Sequence, residues 1–220
     1  GQTKELVRGA PHRWDFGPLT RRCHASRSEE NVKRGAWKLG ELAGIGVFVH
    51  WSFLLLPAWI GFSALGAGAG LSGALSAVLF IVALFGCVVL HELGHALMAR
   101  RFGVGTRDIT LYPIGGVASL ERIPARPFHE LAIALAGPAV NVVIAGALLV
   151  GLILAGGVVG SVAWNPVENS FLLNLLFANI ALVVFNMLPA FPMDGGRVLR
   201  SVLAMVMPYE QATTIAARVG

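Results

Sequence analysis

The sequence predicts an all-α polytopic membrane protein of about 5–6 transmembrane helices, with a small membrane-associated β-hairpin between spans 2 and 3. Three observations carry this. Of the 220 residues, 55% are hydrophobic and 13% charged, and mean hydropathy is +0.70. A soluble domain carries roughly 25% charged residues, so this chain lacks the polar surface that water requires. Second, 50 residues between Glu41 and Glu92 contain no Asp, Glu, Lys or Arg, as do 37 between Glu130 and Glu168 and 25 between Glu168 and Asp194. A bilayer core takes about 20 helical residues, which makes the first block two spans and the others one each. Third, Lys and Arg alternate between polar segments: nine in residues 1–44, five in 100–127, three in 195–220, and none in 66–73 or 155–170. By the positive-inside rule, the N-terminus, the 100–127 loop and the region around Asp194 face the cytoplasm of a multi-pass cell-membrane protein. The formal +5 charge is therefore a topology signal, and no nucleic-acid partner is expected.

Residues 1–44 read as a basic cytoplasmic leader with no apolar period, too polar to be a secretory signal. The core covers 45–207. Its first span is expected over about Ile45 to Leu65, entered through His50-Trp51 at the interface, and a glycine-rich break over 66–73 turns the chain. A second span covers about Ala74 to Ala99, ended by Arg100-Arg101. In the following loop, Asp108 to Tyr112 alternates, Pro113-Ile114-Gly115-Gly116 turns, and Val117 to Leu120 returns, which is the hairpin. The third span, about Phe128 to Leu154, is expected to be interrupted at Gly137-Pro138, and the fourth, about Phe171 to Leu188, to stop before Pro189 and Pro192. Residues 196–207 form a shorter apolar helix. Residues 208–220 read as the start of a truncated final segment. Cys23 and Cys87 fall in different environments and suggest no disulfide.

The second span contains His91-Glu92-Leu93-Gly94-His95. Histidines four apart on a helix project from one face, at a separation that one divalent ion bridges. The glutamate between them is placed to take a proton from water acidified by that ion, the pattern of zinc hydrolases. At mid-depth in a bilayer an ionisable group costs at least about 2.5–3.5 kcal/mol, so a helix-packing trio is the poorer explanation. Gly94 allows a close helix approach.

Zinc requires a third protein ligand and an open position. Position 101, where a further histidine could serve, is Arg101. Glu121 and Glu130 read better as surface or helix-start charges. Asp194 is the stronger candidate, standing in Asn186-Met187-Leu188-Pro189-Ala190-Phe191-Pro192-Met193-Asp194-Gly195-Gly196, where prolines unwind backbone at membrane depth. The competing reading makes it a helix N-cap with Gly195-Gly196 a plain turn. Topology favours the ligand, because both motifs lie at the cytoplasmic ends of their spans. His129, His50, His12 and His24 lack a partner pattern and are not expected to be ligands.

These paired motifs resemble the site-2 protease family of intramembrane metalloproteases, which combines HExxH with N-x-x-P-x-x-P-x-D-G-G, over about residues 42–207. The resemblance implies Zn²⁺ held by His91, His95 and Asp194, with Glu92 as general base. The family's G-P-x-x-N is matched by Gly137 to Asn141. Asn141 would then hold the substrate carbonyl or its oxyanion, or else serve only in bonding between helices. The implied activity is hydrolysis of a peptide bond inside a transmembrane protein substrate, within the lipid bilayer. The family also places a membrane-dipping sheet at the hairpin, whose edge could pair with an unwound substrate segment. The branch with His-Trp opening the first span often carries cytoplasmic cystathionine-β-synthase-type (CBS) domains. Two rivals belong to other classes: an intramembrane metal transporter or sensor without proteolytic activity, against which the lack of an internal repeat speaks, and an inactive relative that only binds spans.

Overall fold

In the computed structural model, residues 35–113, 115–120, 126–154 and 171–220 are described. The order of elements is β1 (Ala36–Leu42), β2 (Ile45–His50), a 3-10 turn (Trp51–Leu54), α1 (Leu55–Gly66), α2 (Gly70–Arg101), β3 (Thr106–Tyr112), β4 (Gly115–Leu120), α3 (Pro127–Leu154), α4 (Phe171–Asn186), α5 (Asp194–Leu203) and α6 (Tyr209–Val219). The protein is mostly helical.

The all-α reading needs a correction: the expected hairpin is half of a four-stranded sheet in the order β1-β2-β3-β4. Strands β1 and β2 are antiparallel, joined at Ala43 and Gly44, both with positive φ as a two-residue hairpin requires. Strand β2 pairs in parallel with β3, Val47 opposite Ile109, and β3 returns antiparallel into β4 from Tyr112 to Gly115. Ile45–His50, expected to begin the first span, is therefore a strand. Its burial alternates, with Ile45, Val47 and Val49 inward, and its backbone groups are paired on both sides. Arg100 Nη1 donates to Ala43 O at 3.0 Å and fastens the β1–β2 turn to the end of α2. On the exposed outer strand, Lys38 pairs with Glu41 at 2.5 Å, holding that carboxyl below its usual pKa through the hydrogen bond and the lysine charge.

The inner face of the sheet lies along α2. Val47, Val49 and Leu111 pack with Phe53, Phe85 and Val89, and Ile45 and Ile109 with Ala96. One stripe of α2 is thus covered by the sheet, while Cys87, His91 and His95 are buried on its other side. Helix α3 carries a single buried stripe of Glu130, Ile133, Ala134, Gly137, Pro138 and Asn141, spaced as one helical face. It runs unbroken through Pro138, forgoing only the bond that a backbone N–H there would make to Ala134, so the expected interruption is absent. At Gly94 a methyl would meet Ala136 O and Val140 Cγ2 at 2.8 Å, so the missing side chain sets how near α2 and α3 lie.

Among the described residues two helices, α2 with 32 residues and α3 with 28, are long and apolar enough to cross a membrane. Of their most apolar 18-residue stretches only 22% and 28% is buried. The core helix of a soluble protein would bury most of such a stretch. Large apolar side chains point outward on α1 as well as on α3, among them Trp59, Phe62, Val143 and Leu154. The 155–170 loop and most of the leader lie outside the described residues.

Candidate metal centre

One turn of α2 brings the two imidazoles together, their Nε2 atoms 3.0 Å apart. Both rings are buried and held from behind by α3. His95 Nδ1 donates to the backbone carbonyl of Ile133 at 2.6 Å, and His91 Nδ1 to Asn141 Oδ1 at 3.1 Å. Each bond sets a tautomer, leaving a bare lone pair on each Nε2. Space for the rings comes from Gly137, where a methyl would stand 2.6 Å from His95 Cε1 and 2.7 Å from His91 Nε2.

Asp194 enters from the start of α5. The N-cap is Met193, so the aspartate is not the cap and its side chain turns inward. Its Oδ2 lies 3.1 Å from His91 Nε2 and 3.0 Å from His95 Nε2. Arg197 Nη1, one turn along, stands 3.7 Å from Oδ1 and leaves Oδ2 to the histidines. Nor is Gly195-Gly196 a plain turn. Both glycines lie in the first turn of α5, pressed by the irregular backbone before it: a methyl on Gly195 would collide with the carbonyls of Met187 and Leu188, and one on Gly196 would come 2.8 Å from Ala190 O. The glycines let the proline-bearing segment fold against the helix that delivers Asp194.

Glu92 is half-buried on α2 beside His91 and opposite β4, where a methyl on Gly116 would lie 2.9 Å from its Cγ. Asn141 is fully buried, and its Nδ2 has no partner among the described residues. His129 stacks on Phe102 at 4.1 Å. His50 bonds Ser52 N and stacks on Tyr112. Neither joins the centre, and Glu121, His12 and His24 lie outside the described residues.

Glu130, read from the sequence as a surface or helix-start charge, is instead 1% exposed. Arg200 of α5 grips its Oε1 through Nε at 3.1 Å and through Nη2, and Tyr209 of α6 donates to Oε2 at 3.2 Å. The Glu130–Arg200 pair has no signature in spacing along the chain, whereas Asp194 and Arg197 stand at the i,i+3 spacing of an ordinary helical pair. Only the buried stripe of α3, which places Glu130 on the same face as Ile133 and Asn141, could have pointed to Glu130.

The donor set fits a divalent ion. Three lone-pair donors converge at 3.0–3.1 Å with no hydrogen between them once both Nδ1–H groups are committed. Ligands about 2.0–2.1 Å from a tetrahedral zinc stand about 3.3 Å apart, close to this spacing. Nitrogen, nitrogen and carboxylate oxygen are zinc ligands, and three protein donors leave a fourth position open.

Comparison with known proteins agrees. A model of peptidase family M50 matches residues 79–171 and 154–220, which together contain both helix histidines and Asp194. A zinc metalloprotease of Methanocaldococcus jannaschii is 40% identical over 186 residues, 83% of this chain and 50% of that protein. Stage IV sporulation protein FB of Bacillus subtilis is 30% identical over 160 residues, 70% of this chain and 48% of its own length. The chain thus spans about half the length of these relatives. Among solved structures, a site-2 protease from Methanocaldococcus jannaschii superposes with a TM-score of 0.60 at 36% identity, covering 84% of this chain and 79% of that one. By its sequence and its fold, the chain belongs to peptidase family M50, the site-2 protease family.

Proposed function

We propose that the protein is an intramembrane zinc endopeptidase, hydrolysing a peptide bond in a transmembrane segment of a membrane protein. The observation that carries the reading is the convergence of His91, His95 and Asp194 beside the carboxylate of Glu92, on a helix whose apolar surface is mostly outward. His91, His95 and Asp194 would hold a zinc ion, which when bound would supply Lewis-acid chemistry to a water and a carbonyl. Glu92 takes the proton from the attacking water and delivers it to the departing amine. Asn141 holds His91 through Oδ1, and its unpartnered Nδ2 is available as a donor to the substrate carbonyl.

A helical substrate hides its carbonyls, so it must unwind locally. Strand β4, at the edge of the sheet and next to Glu92, offers backbone partners to the unwound stretch. In the cell membrane the shorter apolar helices α1, with the turn before it, and α4 join α2 and α3 among the roughly 5–6 spans expected from the sequence. The cluster of Arg100 and Arg101 at the end of α2 sets the metal end toward the cytoplasm.

The test is Glu92→Gln, reconstituted with a single-pass substrate. The variant is expected to keep its zinc and lose at least about 10²-fold in cleavage rate, the usual weight of general acid–base help. Undiminished cleavage would refute the mechanism. Zinc flux through the wild type without proteolysis would make the site a transport site instead.

A further inference from the structure

We propose that Glu130 is a positioning residue for the metal centre: with Arg200 and Tyr209 it locks the helix bearing Asp194 onto the α3 face that orients both histidines. This rests on the metal reading above and extends it to residues with no ligand role. A buried carboxylate needs partners for both oxygens, and Glu130 has them, Arg200 on Oε1 and Tyr209 on Oε2. The Arg200 guanidinium is itself held between two rings, 5.3 Å from the centroids of Phe191 and Tyr209. Phe191 belongs to the proline segment three residues before Asp194, so the clamp grips α5 both through Arg200 and through the chain leading into it.

Three residues along from Glu130, the same face of α3 presents Ile133 O to His95, and eight residues further Asn141 Oδ1 to His91. One face of one helix therefore bears on all three donors, on the histidines directly and on the aspartate through Arg200. The consequence is geometric. His91 and His95 keep their spacing by sharing a helix, whereas Asp194 Oδ2 meets them only while α5 stays in register with α3. Two guanidinium nitrogens converge on the single oxygen Oε1 while Tyr209 takes Oε2, a contact that a lysine's one ammonium would not reproduce. Side chains that orient ligands from behind typically govern about 10–100-fold in metal affinity.

The experiment uses the purified full chain in detergent micelles, loaded with zinc or cobalt. Zinc affinity is read by competition with a chromogenic chelator, and ligand geometry by the visible d–d absorption of the cobalt form. Glu130→Gln is expected to bind zinc up to about 10-fold more weakly, with altered cobalt bands, at the low end for groups behind the ligands because it touches no ligand itself. Arg200→Lys, which keeps the charge but not the paired nitrogens on Oε1, is expected to fall between Glu130→Gln and wild type. Tyr209→Phe, which removes one hydroxyl, should show a smaller loss of the same sign. Wild-type affinity and cobalt bands in Glu130→Gln overturn the proposal, as they do in Tyr209→Phe should Glu130→Gln fail to fold. A wild type that takes up neither ion sinks the metal centre and this inference with it. A metal-loaded wild type matched by its variants sinks this inference alone.

Discussion

His91 and His95 sit one turn apart on α2, and four residues of helix, about 6 Å of rise, are enough to place them. Asp194 lies 99 residues beyond His95 and reaches the same point through a proline-bearing segment, two crowded glycines and a carboxylate–guanidinium clamp. The first pair is a local property of one helix. The third donor is a property of the assembled molecule, and every contact that brings it in is a place where the centre can fail without any ligand being touched.

The severest break of this contrast is to remove one donor from each side. His95→Ala and Asp194→Ala are both expected to abolish stoichiometric zinc, measured by metal analysis of the purified chain. Asp194→Ala that retained tight zinc would show the distant donor to be dispensable and would end the comparison. A subtler break is Gly137→Ala. Its methyl enters the space of both imidazoles, against His91 Nε2 at 2.7 Å. Overpacking of this kind costs about 1–3 kcal/mol. The expected outcome is weakened zinc binding with α2 still formed, seen as a lower metal affinity at unchanged helical circular dichroism. Smallest of all is Lys38→Ala, which deletes an exposed pair on the outer strand with Glu41. No change in thermal midpoint or zinc content is expected, since exposed pairs of this kind are screened by water.

The same contrast explains which parts could be read from the chain. HExxH was legible because its chemistry and its helical period coincide within five residues. Asp194 was legible only through its neighbours, Pro189, Pro192, Gly195 and Gly196, which mark a bent entry into a helix. Strands β1 and β2 were hidden. Ile45, Val47 and Val49 alternate as a strand should, but the charge-free block from Leu42 to His91 makes the same residues look like the start of a span. Hydropathy measures how much apolar surface there is, whereas pairing partners decide whether it becomes strand or helix. Glu130 was misread for a related reason. At the start of an apolar helix a carboxylate is ordinarily a capping charge, and nothing local announces that Arg200 will meet it.

What the sequence alone determined is the apolar, helix-rich character of the chain and the helix that carries two imidazoles and a glutamate on adjoining faces, with Asp194 only a candidate third donor, because composition, period and spacing act over a few turns of chain. What only the tertiary structure decided is the mixed sheet lying along α2, the orientation of each imidazole by α3, and the seating of α5 by Glu130, Arg200 and Tyr209. Those depend on groups brought together from far along the chain, and the free energy of burying a charge or pairing a strand edge is set by the partner that arrives, which no local pattern encodes.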